Sequence, residues 1–173
     1  MSATIDTTGD DILTAVRSFL TTMLPSTVEV VAGLDNTVPM PQGEFVVMTF
    51  LSMERLTLNA IDAISSDGLS VDSMMPWRIT IALDIYSPNS QQYAATLAAL
   101  FRSEYAADNF PSPVTPLDCS DPKQVPFITA GENWLQRWRL EFSAQVNETT
   151  TLATETADTI TIGVEPIDQT FAP

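Results

Sequence analysis

The chain has 173 residues, of which 45% are hydrophobic and 17% are charged, so it can bury the core of one domain and is not disordered by composition. Its 22 Asp and Glu against seven Lys and Arg leave a formal net charge of −15, which excludes a conventional nucleic-acid binder and disfavours an anionic membrane surface. Because there is no histidine and only one cysteine, Cys119, the composition also excludes an internal disulfide, a thiolate metal site and histidine-based catalysis.

The first third of the chain predicts one helix and two strands. Residues 1–9 are polar, and we expect them to be a mobile N-terminus. Apolar residues at helical spacing predict a helix from Asp10 or Asp11 to Leu24, where Pro25 ends it. A short strand over Val28–Ala32 follows. After a loop rich in Gly and Pro, Phe45–Leu58 reads as a strand long enough to bend or to project from the body.

The middle of the chain carries the clearest alternating pattern. Trp77–Ser87 places apolar residues on one face of a strand and polar residues on the other, which indicates a sheet with one core face. The segment before it, with a turn signal at Ser66–Gly68, suggests that residues 45–76 form a long hairpin arm. An alanine-rich helix is predicted over Gln91–Ala107.

The last third reads as a connector and two further strands. Phe110–Phe127 holds five prolines and predicts an extended connector. Trp134–Asn147 alternates again, with Trp138, Leu140 and Phe142 on its apolar face. A threonine-rich stretch and a short strand over Ala157–Ile167 follow, and we expect residues 149–173 to form a C-terminal arm.

Two helices and about five strands predict the α+β fold class within a single domain over residues 1–173. The expected architecture is an antiparallel sheet of about five strands with both helices packed on its apolar face, plus the extended arms. No internal repeat is present.

Candidate chemical sites are few. Asp10 and Asp11 lie at a helix start, where acids serve as caps. Asp118, Asp121 and Glu132 could gather a hard cation, but their spacing matches no EF-hand. Cys119 lacks an activating base. We therefore predict no catalytic residue, no metal site and no cofactor.

The arginines carry more information. Four of the seven basic residues lie on or beside predicted strands, where paired strands would place them on one polar sheet face with acids. One interpretation is a set of cross-strand salt bridges on a wet surface. The other is a subunit interface, where arginine is enriched and lysine depleted. The candidate interface residues are Glu54, Arg55, Arg78, Asp84, Trp134, Arg137, Arg139 and Glu141.

Several motifs between Trp77 and Asp168 resemble the neck and tail-terminator proteins of tailed bacteriophages. The first is Leu83–Asn89 (LDIYSPN), followed by an alanine-rich helix that ends in Leu100-Phe101-Arg102. The others are Phe110, Pro116-Leu117, Asp121-Pro122, Val125-Pro126-Phe127, Gln136–Leu140, Gln145–Asn147 and a strand from Ala157-Asp158 to Val164. These are structural residues without a catalytic signature, and they cover about half of the chain.

The resemblance implies a small α+β protein with no enzymatic activity and no cofactor. Such proteins assemble into a ring, usually a hexamer, at the head-proximal end of the tail tube. The ring stops tube growth and offers a docking surface to the head–tail connector or adaptor, and double-stranded DNA passes through it without specific binding. The expected partners are therefore further copies of the chain, the tube protein, the connector and a sheath where one exists. The protein would be part of the virion, assembled in the host cytoplasm.

The charge and the arms agree with that expectation. An acidic bore would repel the phosphate backbone, and arms could add strands to a neighbour's sheet. Three alternatives remain: another neck, head-completion or tail-tube-like protein, an acidic mimic of DNA, and an enzyme that uses carboxylates alone.

Overall fold

The computed structural model describes residues 3–33, 41–64, 70–128 and 134–153. Its helices are α1 (Gly9–Met23), α2 (Ser90–Phe101) and α3 (Glu104–Asn109). Its strands are β1 (Ala3–Ile5), β2 (Glu29–Ala32), β3 (Phe45–Arg55), β4 (Ala60–Ile64), β5 (Ser70–Tyr86), β6 (Val114–Cys119), β7 (Lys123–Gln124), β8 (Phe127–Ile128), β9 (Trp134–Leu135) and β10 (Arg137–Ala153).

The sheet is built on one antiparallel pair of long strands, β5 and β10. Both have 17 residues and they pair along their whole length, a span of about 55 Å at roughly 3.3 Å per residue. On the far side of β10 lie β1, β6 and β7, each paired with a different part of it. On the far side of β5 lie β3 and β4, and β2 adds to β3. A separate small sheet joins β8 to β9.

Alternation along the central pair decides where the core lies. Leu83 is opposite Leu140 and Ile81 is opposite Phe142, so the apolar residues of the two strands share one face. All four side chains are fully buried. The face assignment predicted from Trp77–Ser87 and Trp134–Asn147 is therefore confirmed for this pair.

Helices α1 and α2 complete the same core cluster. Phe19 of α1 stacks on Phe101 of α2 at 5.6 Å between ring centroids, and Phe101 stacks on Phe142 at 4.3 Å. Helix α1 begins with a capping box, in which Thr8 and Asp11 each bond the other's backbone N–H. The ring contacts explain why α1 and α2 each need an apolar face: each helix packs that face into the core.

The α+β class is confirmed, and three details of the predicted architecture differ. The sheet is mixed because β2 runs parallel to β3, so the purely antiparallel expectation is wrong. The segment 91–107 is divided into α2 and α3 at Arg102 and Ser103. The Pro-rich connector 110–127 contributes β6 and β7, because a strand at the sheet's edge tolerates proline.

The long strands continue as an extension of the sheet beyond the part that pairs with β3 and β6. In this extension β4 pairs with residues 71–74 of β5, and β1 pairs with residues 150–152 of β10. The segment 1–9, for which we predicted mobility, thus contributes β1 and the first residue of α1. The predicted hairpin arm contains β3, β4 and the first half of β5.

Some sequence predictions lie outside the described residues. These are the turn at Ser66–Gly68, the strand at Ala157–Ile167, and the C-terminal arm beyond Ala153. Of that arm, the structure describes residues 149–153, which are the end of β10.

Candidate interaction surface on the polar face of the sheet

The sheet face opposite the core carries a buried carboxylate between two arginines. Asp84 of β5 is directly opposite Arg139 of β10. Two residues further along each strand, Tyr86 is directly opposite Arg137. Because alternate residues share a face, register alone brings Asp84, Tyr86, Arg137 and Arg139 together. Asp84 is only 6% exposed.

Arg137 engages both oxygens of the Asp84 carboxylate. Its Nη2 lies 2.9 Å from Asp84 Oδ2 and its Nε donates to Asp84 Oδ1 at 3.0 Å, a bidentate ion pair. The hydrogen bond that Arg137 donates to Asp84 raises the pKa of Arg137 above its usual value. The guanidinium also lies over the ring of Tyr86, 5.5 Å from its centroid. Burial raises the pKa of Tyr86, so the ring stays neutral beside the ion pair.

Arg139 is held much more loosely. Its Nε lies 4.0 Å from Asp84 Oδ1, beyond hydrogen-bond distance, and this buried nitrogen has no hydrogen-bond partner among the described residues. Lys123 of β7 is the residue directly opposite Arg139 on the other side of β10, and it is exposed. Two arginines therefore flank Asp84, and Lys123 lies one strand further along the same sheet.

Three more predicted interface residues belong to the same sheet face. Glu54 of β3 is opposite Arg78 of β5, and both are exposed. Glu141 is opposite Ala82 and is exposed, and its backbone N–H donates to Ser120 Oγ at 2.8 Å. The exposed part of the face therefore carries both signs of charge.

The two remaining predicted residues lie elsewhere. Arg55 is opposite Trp77, and its guanidinium lies 5.8 Å from the centroid of that ring, on the face that Ile79 also uses. The reason is a β-bulge at Leu51, which shifts the alternation of β3 by one residue. Trp134 pairs with Ile128 in the small β8–β9 sheet. The expectation that Arg55 shares the polar face is thus wrong.

Sequence reasoning missed a second arginine cluster at the end of α2. Arg102 donates from Nε and Nη2 to the carbonyl oxygen of Cys119 and from Nη1 to Asp121 Oδ1 at 3.1 Å. Asp118 Oδ1 lies 3.5 Å from Arg102 Nε. The two carboxylates considered as cation ligands are therefore paired with an arginine, and the third, Glu132, lies outside the described residues. Only the closeness in sequence of the acids hinted at this cluster.

The one cysteine is buried next to this cluster. Burial raises the pKa of the Cys119 thiol to about 12. Its side chain faces Phe142 across the β6–β10 pair and belongs to the core. A thiol with so high a pKa is a poor nucleophile at neutral pH.

A polar groove beside the start of α1 is lined by two carboxylates, so it bears on the alternative of an enzyme that uses carboxylates alone. Asp6, Asp11 and Ser18 line one side of it and residues 111–113 the other. Asp6 Oδ1 accepts a hydrogen bond from the Thr149 N–H at 2.9 Å, which ties the N-terminus to β10. Hydrogen bonds from Thr8 lower the pKa of Asp11, whereas a general acid needs a raised one. Both carboxylates thus have structural partners.

The described residues hold neither a metal-type cluster nor a membrane-spanning helix. No cluster of three or more His, Cys, Asp or Glu there has the arrangement of a metal site. None of the described helices has the length and apolar character needed to cross a bilayer.

The fold defines an α+β protein. The charged face of its sheet is suited to contact with other proteins. The family model for the phage neck terminator protein matches residues 10–170. Because the match spans nearly the whole chain, the protein belongs to this family, whose members are structural components of the virion neck that assemble with other head and tail proteins. The resemblance noted in the sequence is confirmed. No match was found among curated proteins.

Proposed function

We propose that this protein forms a ring, a hexamer of identical chains, at the head-proximal end of the phage tail tube. The ring ends tube growth and joins the tail to the head connector or adaptor, without enzymatic activity. The observation that carries the proposal is the match to the neck terminator family over residues 10–170. Its contacts would be the tube protein, the connector and a sheath if the tail has one, all assembled in the host cytoplasm.

The extension of the sheet supports an assembly of several copies. It exposes large apolar side chains, among them Ile5 at 58%, Leu58 at 80% and Leu152 at 45%. Its outer strands β1 and β4 each pair with one neighbour along the described residues, so each offers a free edge. Apolar surface and open edges of this kind are normally covered by another chain. We propose that the hairpin arm and the C-terminal arm, residues 149–173, contact the neighbouring copy.

The charge supports passage of DNA through the ring. Six copies at −15 each would carry a formal charge of −90. Acids that line the bore would repel the phosphate backbone, so the duplex would slide without binding specifically.

The interface is proposed to use the polar face of the sheet, with Glu54, Arg78, Asp84, Arg137, Arg139 and Glu141. Arg55 and Trp134 would contact a partner from other surfaces. We also propose that α1 and α2 cover the same face of the sheet, since both join the one core cluster, which leaves the polar face free of these two helices.

The test is the tail length of a phage that lacks this gene product. Without a terminator, purified tails should have a broad length distribution and fail to join heads, and the supplied protein should restore both. Cryo-electron microscopy of the wild-type virion should show the ring between tube and connector, with a bore of about 20 Å or more, the width of a duplex. Tails of normal length in the deletion phage would contradict the terminator role. Density at another neck layer would assign the protein to the adaptor instead.

A further inference from the structure

We propose that the core-side face of the sheet extension is the docking site for residues 158–164 from the C-terminal arm of a second copy. This inference rests on the proposed ring, and it names the surface that receives the arm. The tip of the extension is the end at Ser70 and Ala153, and its root is the end that joins the body. We call the docking surface the apolar strip, and its members are Ile5, Arg55, Val71, Met75, Trp77 and Leu152.

Register places the apolar strip on one face of the sheet. The three members on β5 lie an even number of residues from the core residue Ile79, so all of them face the core side. Each of the other members lies opposite a residue of this face: Leu152 opposite Val71, Arg55 opposite Trp77, and Ile5 opposite Thr150. The strip therefore continues the core side of the sheet outward, from Trp77 at the root to Leu152 at the tip.

The apolar strip is only partly covered within one copy. Ile5 is 58% exposed and Leu152 is 45% exposed, and the three members on β5 are half-buried. Adjacent apolar side chains with this exposure are typical of a surface that another chain covers. Tryptophan and arginine, the residue types at the root of the strip, are those that contribute most to protein interfaces.

Arg55 is available to a carboxylate from outside. Its exposed guanidinium lies 5.8 Å from the centroid of the Trp77 ring, and the described ion pairs all use other arginines. Glu148 of β10 accepts a hydrogen bond from Trp77 Nε1 at 2.8 Å, and β5 lies between Glu148 and Arg55. An incoming carboxylate would therefore meet a guanidinium that an aromatic ring holds in place.

The sequence of the C-terminal arm carries a matching pattern. Alternation in the predicted strand places one carboxylate and three apolar side chains on the same side, those of Asp158, Ile160, Ile162 and Val164. The apolar strip has the same order, with Arg55 at its root and apolar side chains toward its tip. The lengths also agree, because 158–164 and 71–77 each span six residue steps, about 20 Å in an extended chain.

The direction of the chain selects a second copy as the source of the arm. Strand β10 runs from the body to the tip, so the arm leaves its own subunit at the tip. An arm that turned back along its own strip would run from tip to root and place Asp158 far from Arg55. An arm from another copy can run from root to tip, which brings Asp158 to Arg55 and Val164 to Leu152. Copies related by rotation meet through two different surfaces, and the arm and the strip are such a pair.

Cross-linking tests the contact directly. Engineered cysteines are the reactive ones, because native Cys119 is 1% exposed and burial raises the pKa of its thiol to about 12. Met75→Cys and Ile162→Cys are made in separate chains, mixed, assembled on tail tubes and treated with a mild oxidant. The rings should yield a covalent dimer with one chain of each kind. The matched controls Met74→Cys and Thr161→Cys alternate to the opposite sides and should yield about one tenth as much or less.

Charge reversal tests the polar end of the contact. Arg55→Glu should raise the concentration needed for half-assembly on tail tubes by about tenfold or more, measured by native mass spectrometry and sedimentation. Arg17→Glu is the matched control, since Arg17 is exposed on α1 and outside the described ion pairs, and it should leave assembly nearly unchanged. Asp158→Arg should weaken assembly, and its combination with Arg55→Glu should restore a large part of it. Thermal melting of each variant separates lost assembly from lost folding.

Three results would overturn this inference while leaving the ring in place. The first is a yield of the Met75–Ile162 dimer in assembled rings that is no higher than the yield of the controls. The second is wild-type assembly by Arg55→Glu. The third is a cross-link that forms only within single chains that carry both cysteines, which would place the arm on its own strip. If the wild-type chain stays monomeric even with tail tubes present, the proposed ring fails, and this inference fails with it.

Discussion

At the scale of single residues, Arg137 and Arg139 look alike in the sequence and differ in the structure. Both lie on the polar side of β10, two residues apart. Arg137 completes a bidentate ion pair with a carboxylate that is almost fully buried, whereas Arg139 lies beside that pair. Removing one partner of a buried pair leaves a charge in a low-dielectric environment without compensation. The two arginines should therefore respond very differently to substitution.

Arg137→Ala should lower the free energy of unfolding by about 3–5 kcal/mol, the cost of leaving Asp84 buried and unpaired. Urea denaturation monitored by tryptophan fluorescence measures it. Arg139→Ala is the control and should cost less than about 1 kcal/mol, since its Nε makes no hydrogen bond. Equal losses for the two variants would show that Asp84 does not depend on Arg137.

Cys119 should be inert in the folded protein. Because burial raises the pKa of its thiol to about 12, the thiolate is scarce at pH 8, and the side chain is 1% exposed. A thiol-specific chromogenic reagent should label less than one tenth of the chains over the time in which urea-unfolded protein reacts completely. Rapid labelling of native protein would mean that the edge formed by β6 opens.

At the scale of elements, the start of α1 shows how a local signal and a tertiary contact combine. Thr8 and Asp11 form the capping box, and Asp6, two residues earlier, binds the Thr149 N–H of β10. The cap thereby connects the helix to the sheet extension.

Thr8→Ala should destabilise the protein by about 1 kcal/mol, and Thr8→Ser should retain most of the cap. The pKa of Asp11 is lowered in the folded state, so its contribution is present above the ordinary carboxyl value of 3.8 and is lost as the pH falls below it. Denaturation of both variants at pH 7 and pH 3 measures this. The difference between wild type and Thr8→Ala should shrink at the lower pH, and a constant difference would contradict the role of Asp11.

The bulge in β3 shows how an element departs from its sequence pattern. Up to Phe50, alternate residues of β3 face the core, with Met48 opposite Leu83. The extra residue Leu51 then reverses the alternation, which turns Arg55 toward Trp77. A bulge is decided by pairing with β5, so the sequence of β3 alone could not locate it.

At the scale of the whole molecule, the fold separates a compact body from a sheet extension. The body holds the buried residues of α1, α2 and the halves of β5 and β10 that pair with β3 and β6. The extension has a paired backbone and exposed apolar side chains. Under the proposed function, the body supplies stability and the extension supplies surface for contact with other copies.

Deletion of residues 154–173 should leave the body folded and impair ring assembly. The deletion must begin after Ala153, because Thr150–Leu152 pair with β1 and Thr149 binds Asp6. Circular dichroism and melting should match those of the full chain, while native mass spectrometry should show a loss of rings. A deletion that begins at Thr149 is the comparison, and it should also lower the melting temperature. Unchanged assembly after removal of 154–173 would refute the role of the C-terminal arm.

The sequence by itself determined the α+β class, the long helix α1, the faces of the central strands and the family. These follow from signals that are local in the chain: the 3.6-residue and two-residue periods of apolar residues, a cap before a helix and a set of short motifs. The tertiary structure alone decided the parallel pairing of β2 with β3, the bulge at Leu51 and the partners of Arg102. It also decided which arginine Asp84 binds, 53 residues away. Such features depend on register between segments that are distant in sequence. The residues of a single strand do not specify which strand will pair with it.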